Sequence, residues 1–565
     1  MHKLREKKAS GLLSNSTTTG SNSQNSKRES GYWLPQLAGL GKAPYAGEGY
    51  VFYRNVLDYG ADNTGASDTV EAINAAIEDG DRCGEECGNT FVKGAVVYFP
   101  PGTYKICTPI IQLYYTQFIS DPLDRAVIKG CDDFTGIALV DATHMCRTKH
   151  NRMAQEYINQ NQFFRQIRNF VFDLTEMPSA TDDHGQKLVP TGLHWQVSQA
   201  TSLQNLLFKM PTASGAGDNL THVGIFTENG SGGFVSDLEF EGGSIGWRVG
   251  SQQYTAIGLK FTNCVTAVQM VWDWGFNWQR IEINGGTIAF NISGNGGIDK
   301  QGIGSVSVID STINNTPIGM LTNANATAAP NIVIDNTEFT NVGAIVQDTD
   351  GDVLLAGGSE KVDLWAHGLR YKAGSGSLET GVVKGRPPMS SKMLDGGKLF
   401  TRSRPQYENL GPGSFLVATE HGCSNDATGD NADAINSFLQ QAASSGMIAY
   451  FPARIYTIKS TVTVPAGSKI QGTSWSQIQA TGDYFNDMNN PKVAVRIGEP
   501  GDIGTMETVE MLFTVNGPAA GAIMVEWNIR ASSPGAAALW DSHIRVGGGI
   551  GTKLDQATCP KMSFN

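Results

Sequence analysis

The side chain best suited to acid–base chemistry is the carboxyl group of Glu526, which stands between the apolar residues Val525 and Trp527. Burial against apolar neighbours disfavours the charged form and raises the pKa of a carboxyl group, the direction that a general acid requires. The alternative is a buried structural carboxylate, or one that pairs with Arg530 or Arg545. The other acidic candidates of this region are Glu507, Glu510 and Asp541.

The sequence motifs of several other chemistries are missing. Neither HExxH nor GxxxxGK[ST] occurs, and the glycine run near Gly547 does not complete GxGxxG. The pairs Asp132-Asp133 and Asp182-Asp183 are isolated, without the clustered acidic ligands and nearby base of a calcium-dependent lyase. We therefore expect neither a metal nor another cofactor.

Composition and charge narrow the class of protein that could carry this chemistry. Lys plus Arg is 42 and Asp plus Glu is 54, a net charge of −12 that argues against nucleic-acid and anionic-membrane partners. Charged residues are only 17 %, and glycine accounts for 67 of 565 residues, so an all-helical fold is not expected. The sequence contains no run of about 18 apolar residues, so no transmembrane helix is predicted.

One pair of sequence blocks occurs twice. Tyr53–Ile77 followed by Gly94–Ile106 matches Phe415–Leu439 followed by Gly446–Ile458, and both copies share the FP-x-x-x-Y pattern. Each copy predicts a strand, a glycine turn, an amphipathic helix and a second strand. Two collinear blocks that differ by one loop indicate a duplicated domain, in which the helix covers the end of a strand array.

Between the two copies, short β segments recur at intervals typical of a solenoid. Successive segments have predicted core residues spaced by about 21 to 26 positions, namely Phe240, Phe261, Ile283, Ile309 and Ile334. Polar turn residues follow each segment. Stacked parallel strands of this kind form a right-handed β-helix. An antiparallel sandwich is the alternative, but its hairpin turns every 8–12 residues are not regular here.

The predicted fold is therefore all-β, with two tandem right-handed parallel β-helices that each begin with a helical cap. We expect a disordered tail over 1–30, a first module over 31–365, a Pro/Gly/Ser-rich linker over 366–412 and a second module over 413–565. The second module is short and shows no closing cap, so we expect it to be truncated.

Cysteines and the N-terminal residues bear on the compartment. Five of the eight cysteines lie between 83 and 146, and a Cys83–Cys87 or Cys107–Cys131 disulfide is predicted if the compartment is oxidising, with free buried thiols as the alternative. The first thirty residues lack the apolar region of a secretory signal.

Longer motifs resemble those of one family. The segments YWLPQL at Tyr32, GLHWQVSQATSLQN at Gly192, ENGSGG at Glu228 and WDSHIRVGG at Trp540 look like those of the fungal exo-β-1,3-glucanases, glycoside hydrolase family 55, in the pectate-lyase-3-type β-helix superfamily. The resemblance extends from Tyr32 to about Pro560. It implies two β-helices side by side, a cleft between them that holds laminarin-type glucan, an extracellular monomer, an inverting mechanism and no metal.

The resemblance also implies roles for single residues. The first module of such an enzyme positions the attacking water through an amide and a hydroxyl group, and the matching segments here contain Gln196, Gln199 and Ser231. We select Gln199 with Ser231, because strand alternation can turn Gln196 elsewhere; amide ladders on the solenoid surface are the alternative. The family's proton donor is a glutamate of the second module, which the resemblance places beyond Asn565.

Aromatic faces stack on the C–H-rich faces of sugars, so exposed rings are predicted subsites, although rings in a solenoid are often core. The predicted substrate-binding residues are Gln196, His194, Trp195, Tyr115 and Trp540, and further aromatic candidates are Tyr114, Trp272 and Trp274. The alternatives to a hydrolase are a catalytically silent glucan-binding β-helix that lacks its general acid, and a pectin-type polysaccharide lyase.

Overall fold

The structure is a computed structural model. It describes residues 31–82, 92–143, 145–147, 153–155, 162–179, 188–216, 220–297, 300–324, 329–385, 388–549, 551–558 and 560.

Strands dominate the described residues. The helices are α1 (Leu34–Leu37), α2 (Val70–Glu78), α3 (Ala213–Ala216) and α4 (Ala432–Ser445). The first strand set, which spans residues 53–382, consists of β1 (Tyr53–Asn55), β2 (Thr64–Asp68), β3 (Ala95–Phe99), β4 (Thr103–Ile106), β5 (Ile110–Ile111), β6 (Thr116–Ser120), β7 (Ala126–Gly130), β8 (Val140–Asp141), β9 (Met145–Arg147), β10 (Met153–Gln155), β11 (Arg165–Asp173), β12 (Thr191–His194), β13 (Thr201–Lys209), β14 (Val223–Thr227), β15 (Gly233–Glu241), β16 (Ile245–Ile257), β17 (Lys260–Thr262), β18 (Thr266–Gln279), β19 (Glu282–Asn284), β20 (Ile288–Asn291), β21 (Ser305–Ile309), β22 (Thr312–Asn314), β23 (Ile318–Thr322), β24 (Asn331–Asp348), β25 (Val353–Lys372) and β26 (Ser375–Val382).

A shorter series of strands follows it. Two strands of the connecting region are β27 (Leu394–Asp395) and β28 (Lys398–Leu399). The second strand set, which spans residues 415–545, consists of β29 (Phe415–Val417), β30 (Ile448–Phe451), β31 (Ile455–Ile458), β32 (Val462–Val464), β33 (Lys469–Thr481), β34 (Lys492–Ile497), β35 (Ile503–Gly504), β36 (Met506–Asn516), β37 (Ala522–Trp527), β38 (Arg530–Ala531), β39 (Ala537–Trp540) and β40 (His543–Arg545).

The first strand set is a stack of parallel coils with the character of a β-helix. Three parallel ladders run through it, and one of them joins β12, β14, β16, β18 and β20 in chain order. Each strand pairs with the strand about one coil later, as a solenoid requires. The predicted all-β, parallel class is therefore confirmed; antiparallel pairing occurs in the hairpins β24–β25 and β25–β26 that follow the coils.

Core residues of successive coils lie directly above one another, as the predicted spacing requires for the first part of the series. Phe240 is in register with Phe261, and Phe261 with Ile283. The prediction is wrong for the next step, because the partner of Ile283 is Ile313 rather than Ile309. That coil is longer than its predecessors, so a constant spacing between core residues no longer predicts the residue that pairs with Ile283.

The second strand set repeats the beginning of the first. α4 occupies the place of α2, and the helices bury Ile435 and Ile73 respectively against their own strand sets. The tyrosine hydroxyl of each FP-x-x-x-Y pattern donates to the carbonyl four residues earlier, at 2.8 Å for Tyr104 and 2.7 Å for Tyr456. The repeated blocks therefore share local structure as well as sequence.

Two apolar clusters join the strand sets. In one, Trp33 lies against Phe415, with ring centroids 4.7 Å apart, beside Val96 of the first set. In the other, Tyr115 of the first set packs on Trp475 of the second, with centroids 5.7 Å apart. The two strand sets therefore share buried surface.

The predicted linker is more ordered than its composition indicates. Strand β25 runs to Lys372 and β26 follows it, so the predicted boundary between 365 and 366 falls inside a strand. Backbone pairing between β25 and β26 extends regular structure into a stretch rich in glycine and serine, and composition alone does not report such pairing.

A disulfide joins Cys107 to Cys131, one of the two predicted pairs. Cys83 and Cys87 lie outside the described residues. Among the helices that the structure describes, none combines the length and the apolar composition needed to cross a membrane.

Candidate active site

A cavity of about 1190 Å³ lies between the two strand sets. Its lining comes from five successive coils of the first set, from the connecting region and from the end of the second set; the ranges are 199–205, 232–239, 253–260, 275–282, 310–312, 398–404 and 539–543. Because neighbouring strands are about 4.8 Å apart, five coils span roughly 19 Å. The cavity is long enough for several units of a linear polymer.

The connecting segment, residues 397–407, forms one wall of this cavity. The amide of Leu399 donates to Asp310 at 2.7 Å, and the Ser403 hydroxyl donates to Asp237 at 2.9 Å. Further along, the Gln204 amide donates to the carbonyl of Arg404 at 3.4 Å. The segment therefore runs back along the coils of the first set and is fixed to their polar turn residues.

A buried group of charges holds this wall between the strand sets. Glu510, on β36, accepts from Arg168 of the first set at 2.9 Å and from Arg404 of the connecting segment at 3.1 Å. Arg404 also reaches Asp541 at 3.0 Å. Burial alone would raise the pKa of Glu510, but the charges of Arg404 and Arg168 outweigh it and lower that pKa.

Two amide–hydroxyl pairs lie at the cavity. In the first, the side-chain amide of Gln199 donates to the backbone carbonyl of Ser231 at 2.9 Å, and the Ser231 hydroxyl donates to the side-chain oxygen of Gln199 at 3.1 Å. In the second, Gln204 and Ser236 stand side by side on β13 and β15, and both line the cavity. The structure therefore brings the predicted residues Gln199 and Ser231 together, but their polar groups form hydrogen bonds with each other.

Curated proteins similar to the chain are fungal. A protein named "Non-secreted LysM effector LysM19" from Penicillium expansum is 42 % identical over 97 % of the chain. A "Probable glucan endo-1,3-beta-glucosidase" from Arthroderma benhamiae is 37 % identical over 94 %, and a "Glucan 1,3-beta-glucosidase" from Cochliobolus carbonum is 36 % identical over 94 %. The matches span 43 %, 70 % and 66 % of those relatives' lengths.

The chain belongs to the same family as these fungal glucan 1,3-beta-glucosidases, glycoside hydrolase family 55. A family model described as "Rhamnogalacturonase A/epimerase, pectate lyase-like" matches residues 53–291, within the first strand set. The resemblance found in the sequence motifs is therefore confirmed.

Four predicted substrate-binding residues of this glucanase family member are closed off from the cavity. Trp195 is fully buried in the core of the first strand set, and Gln196 is buried next to it. Tyr115 is buried between the strand sets, where its hydroxyl donates to the Ser474 carbonyl at 3.0 Å. His194 is also fully buried. None of these four side chains is among the residues that line the cavity.

Glu526 does not line the cavity, and the prediction of a raised pKa is wrong. Its carboxylate accepts from Asn528 and from Arg496, both at 2.9 Å, and these bonds lower its pKa. The side chain is about one-third exposed. The predicted apolar surroundings are missing, because Val525 and Trp527 point away from Glu526 on a strand, where successive side chains alternate.

Aromatic rings remain available on both walls. Trp540 lines the cavity, donates to the Arg402 carbonyl at 3.2 Å and carries the Arg402 guanidinium 5.1 Å from its ring. On the opposite wall Phe234 is 38 % exposed. Phe234 and Gln204 also line the cavity, and sequence analysis did not select them, although Gln204 lies in the GLHWQVSQATSLQN motif and Phe234 follows ENGSGG.

The buried imidazole of His194 lies between two carboxylates. Its Nδ1 lies 2.9 Å from Asp141 and its Nε2 lies 3.5 Å from the half-exposed Glu228. Burial alone would lower the pKa of the imidazole, but the hydrogen bond and the two carboxylate charges outweigh it and raise the pKa to about 9.

This raised pKa predicts a pH-dependent stability. Because the pKa of His194 rises from 6.5 to about 9 on folding, its protonation stabilises the folded protein fully below pH 6.5. This stabilisation is lost as pH rises through 9. We expect the free energy of unfolding of wild type to exceed that of His194→Gln by about 3 kcal/mol near neutral pH. This difference should shrink as the solution becomes alkaline. Urea unfolding of both proteins across this range measures it.

The variant Asp141→Asn provides the control for that prediction. It removes one carboxylate that contacts His194, so the loss of stability should begin at a lower pH than in wild type. A difference between wild type and His194→Gln that stays constant across the range would contradict a charged imidazole.

Proposed function

We propose that the chain is a glycoside hydrolase that cleaves β-1,3-glucan from the non-reducing end with inversion. The observation that carries this proposal is the long cavity between two strand sets in a member of a β-1,3-glucanase family. The substrate names of the relatives favour laminarin-type glucan.

The charges of the cavity fit a neutral polymer. The described residues that line it include five carboxylates and five basic side chains, so their formal charges cancel; they are Asp237, Glu239, Glu282, Asp310, Asp541, Lys260, Arg280, Lys398, Arg402 and Arg404. A polyanion such as pectin would be favoured by an excess of basic groups. This balance supports a glucan over a uronic polymer.

Inversion needs a water molecule on one face of the sugar ring and a protonated acid on the other, typically with roughly 6.5–9.5 Å between the two groups. We place the water at Gln204 and Ser236 rather than at Gln199 and Ser231. The amide of Gln199 already exchanges two hydrogen bonds with Ser231, whereas Gln204 makes one long bond through its nitrogen. The side-chain oxygen of Gln204 can then accept a hydrogen bond from water. The Gln199–Ser231 pair supports the strand end beside Gln204.

Sugar rings would be held between the two walls. Phe234 of the first strand set and Trp540 of the second both present aromatic surface to the cavity. Aromatic faces bind apolar faces of a ligand while nearby polar groups fix its orientation. We therefore propose these two residues as stacking positions, of which Trp540 is also the sequence prediction.

We also propose the organisation that this activity requires. The two strand sets form two tandem right-handed β-helices, and the protein works as an extracellular monomer without a metal. The repeated blocks and the separate parallel ladders of each set support this arrangement.

A second candidate function is glucan binding without hydrolysis. The position of Glu526 favours it, because the predicted general acid lies outside the cavity lining and its pKa is lowered. Such a protein would retain the cavity and its aromatic walls.

Incubation of the purified chain with laminarin separates the two candidates. We expect release of glucose, in the α-anomeric form when the products are followed early by NMR, as inversion of a β-linkage requires. Long oligosaccharides as first products would contradict exo action, and a β-anomer would contradict inversion. Retention on laminarin without reducing sugar would establish the binding protein, and unsaturated products from polygalacturonate would establish a lyase.

A further inference from the structure

Trp274 has an unusually exposed indole. Its relative exposure is 55 %, whereas Trp195, Trp247 and Trp278 are fully buried in the core of the same strand set. Trp274 lies in β18, at the residue that precedes Gly275, and Gly275 lines the cavity. The backbone of Trp274 therefore borders the cavity lining, and its indole lies outside that lining.

The exposed ring is held in one orientation. Its Nε1 donates to the side-chain oxygen of Gln301 at 3.1 Å. The loop that carries Gln301 is fixed to β18, because the Gly304 amide donates to Asp273 at 2.7 Å and Asp273 forms a bridge with Ile303. A ring that is fixed before binding loses little conformational entropy when a ligand stacks on it.

The cavity surface next to Trp274 carries no side-chain bulk at Gly275. An added Cβ at Gly275 would meet nothing within 4 Å, so the surface is open at this point. Gly275 is in register with Gln253, and Gly232 approaches the carbonyl of Gln253. The cavity lining includes all three residues. A polymer that leaves the cavity at this side would therefore pass the indole.

We propose that Trp274 forms an outer glucan subsite, which takes a sugar unit of the chain beyond the cavity. This inference rests on the proposed function, which supplies β-1,3-glucan as the ligand. The chemistry of the surface fits a neutral sugar, since the face of the ring can stack on C–H groups while the amides of Gln301 and Gln253 can bond to hydroxyl groups. The subsite contributes binding of long chains and takes no part in bond cleavage.

Affinity electrophoresis through gels that contain laminarin tests the subsite. We expect Trp274→Ala to bind laminarin about tenfold more weakly than wild type, the size of one aromatic contact, and Trp274→Phe to retain part of the affinity. Tyr371→Ala is the matched control, because Tyr371 is 70 % exposed and belongs to the hairpin of β25 and β26. It should migrate like wild type.

A kinetic measurement distinguishes this subsite from the proposed function. With laminarin, Trp274→Ala should raise KM with an unchanged kcat, and with laminaribiose it should change neither, because a short substrate does not reach Trp274. Equal laminarin affinity of Trp274→Ala and wild type would overturn the subsite and leave the hydrolase intact. A chain that shows the tenfold loss but releases no sugar would overturn the hydrolase and keep the subsite.

Discussion

Replacement of Glu510 with alanine should lower the free energy of unfolding by about 3–5 kcal/mol. Glu510 is fully buried and is the shared partner of Arg168 and Arg404. Its removal leaves the buried guanidinium of Arg168 without its anion and leaves Arg404 with Asp541 alone, and an uncompensated buried charge costs far more than a lost surface ion pair. Urea unfolding monitored by tryptophan fluorescence measures the change.

Glu526→Gln is the control for this prediction. Glu526 also accepts from an arginine, Arg496, at the same distance of 2.9 Å, but both side chains are about one-third exposed. Pairs exposed in this way contribute about 0–1 kcal/mol, so the unfolding curve should hardly move. Equal effects of the two variants would contradict the role of burial.

The Glu510 variant should also affect the cavity. Arg404 belongs to the connecting segment and reaches Asp541, which lines the cavity from the second strand set. Loss of the shared anion frees Arg404 from β36, so this wall becomes less well fixed. We expect KM for laminarin to rise under conditions in which the variant is still folded.

The second large effect is expected at Gln204. If Gln204 positions the attacking water, Gln204→Ala should lower kcat on laminarin by about 10²-fold, the size of a lost positioning group. Its stability should change little, because the side chain makes one hydrogen bond of 3.4 Å. Initial rates of glucose release, together with thermal unfolding, measure both quantities.

Two further glutamine variants complete that experiment. Gln199→Ala should lower kcat less than Gln204→Ala does, because its hydrogen bonds are made within the protein. Gln441→Ala, on the exposed side of α4, should behave as wild type. A larger loss at Gln199 than at Gln204 would return the water to the pair selected from the sequence.

The repeated blocks were predictable because local rules govern them. Glycine turns, a 3.6-residue apolar period and the FP-x-x-x-Y pattern are visible within about fifty residues, and the same bonds form in both copies. Asp68 and Asp430 each accept from the first amides of the following helix. The register of later coils was not predictable in the same way, because one longer coil moves the core position from Ile309 to Ile313.

The choice among candidate side chains depended on which face each one presents. Trp195 directly follows β12 and Trp274 lies within β18, yet Trp195 is fully buried and Trp274 is 55 % exposed. Alternation along a strand is fixed by position, and a shift of one residue turns a side chain from core to surface. Residue type alone therefore does not predict that His194, Trp195 and Tyr115 are buried.

The amino-acid sequence by itself determined the all-β solenoid, the duplication and the family, because periodicity and long motifs are properties of the chain order. The tertiary structure alone decided which groups surround the cavity. Glu510 meets Arg168 across 342 positions, and Gln204 meets Arg404 across 200. Such meetings depend on how two strand sets and the segment between them pack, and no local pattern encodes the resulting burial, charge pairing or pKa.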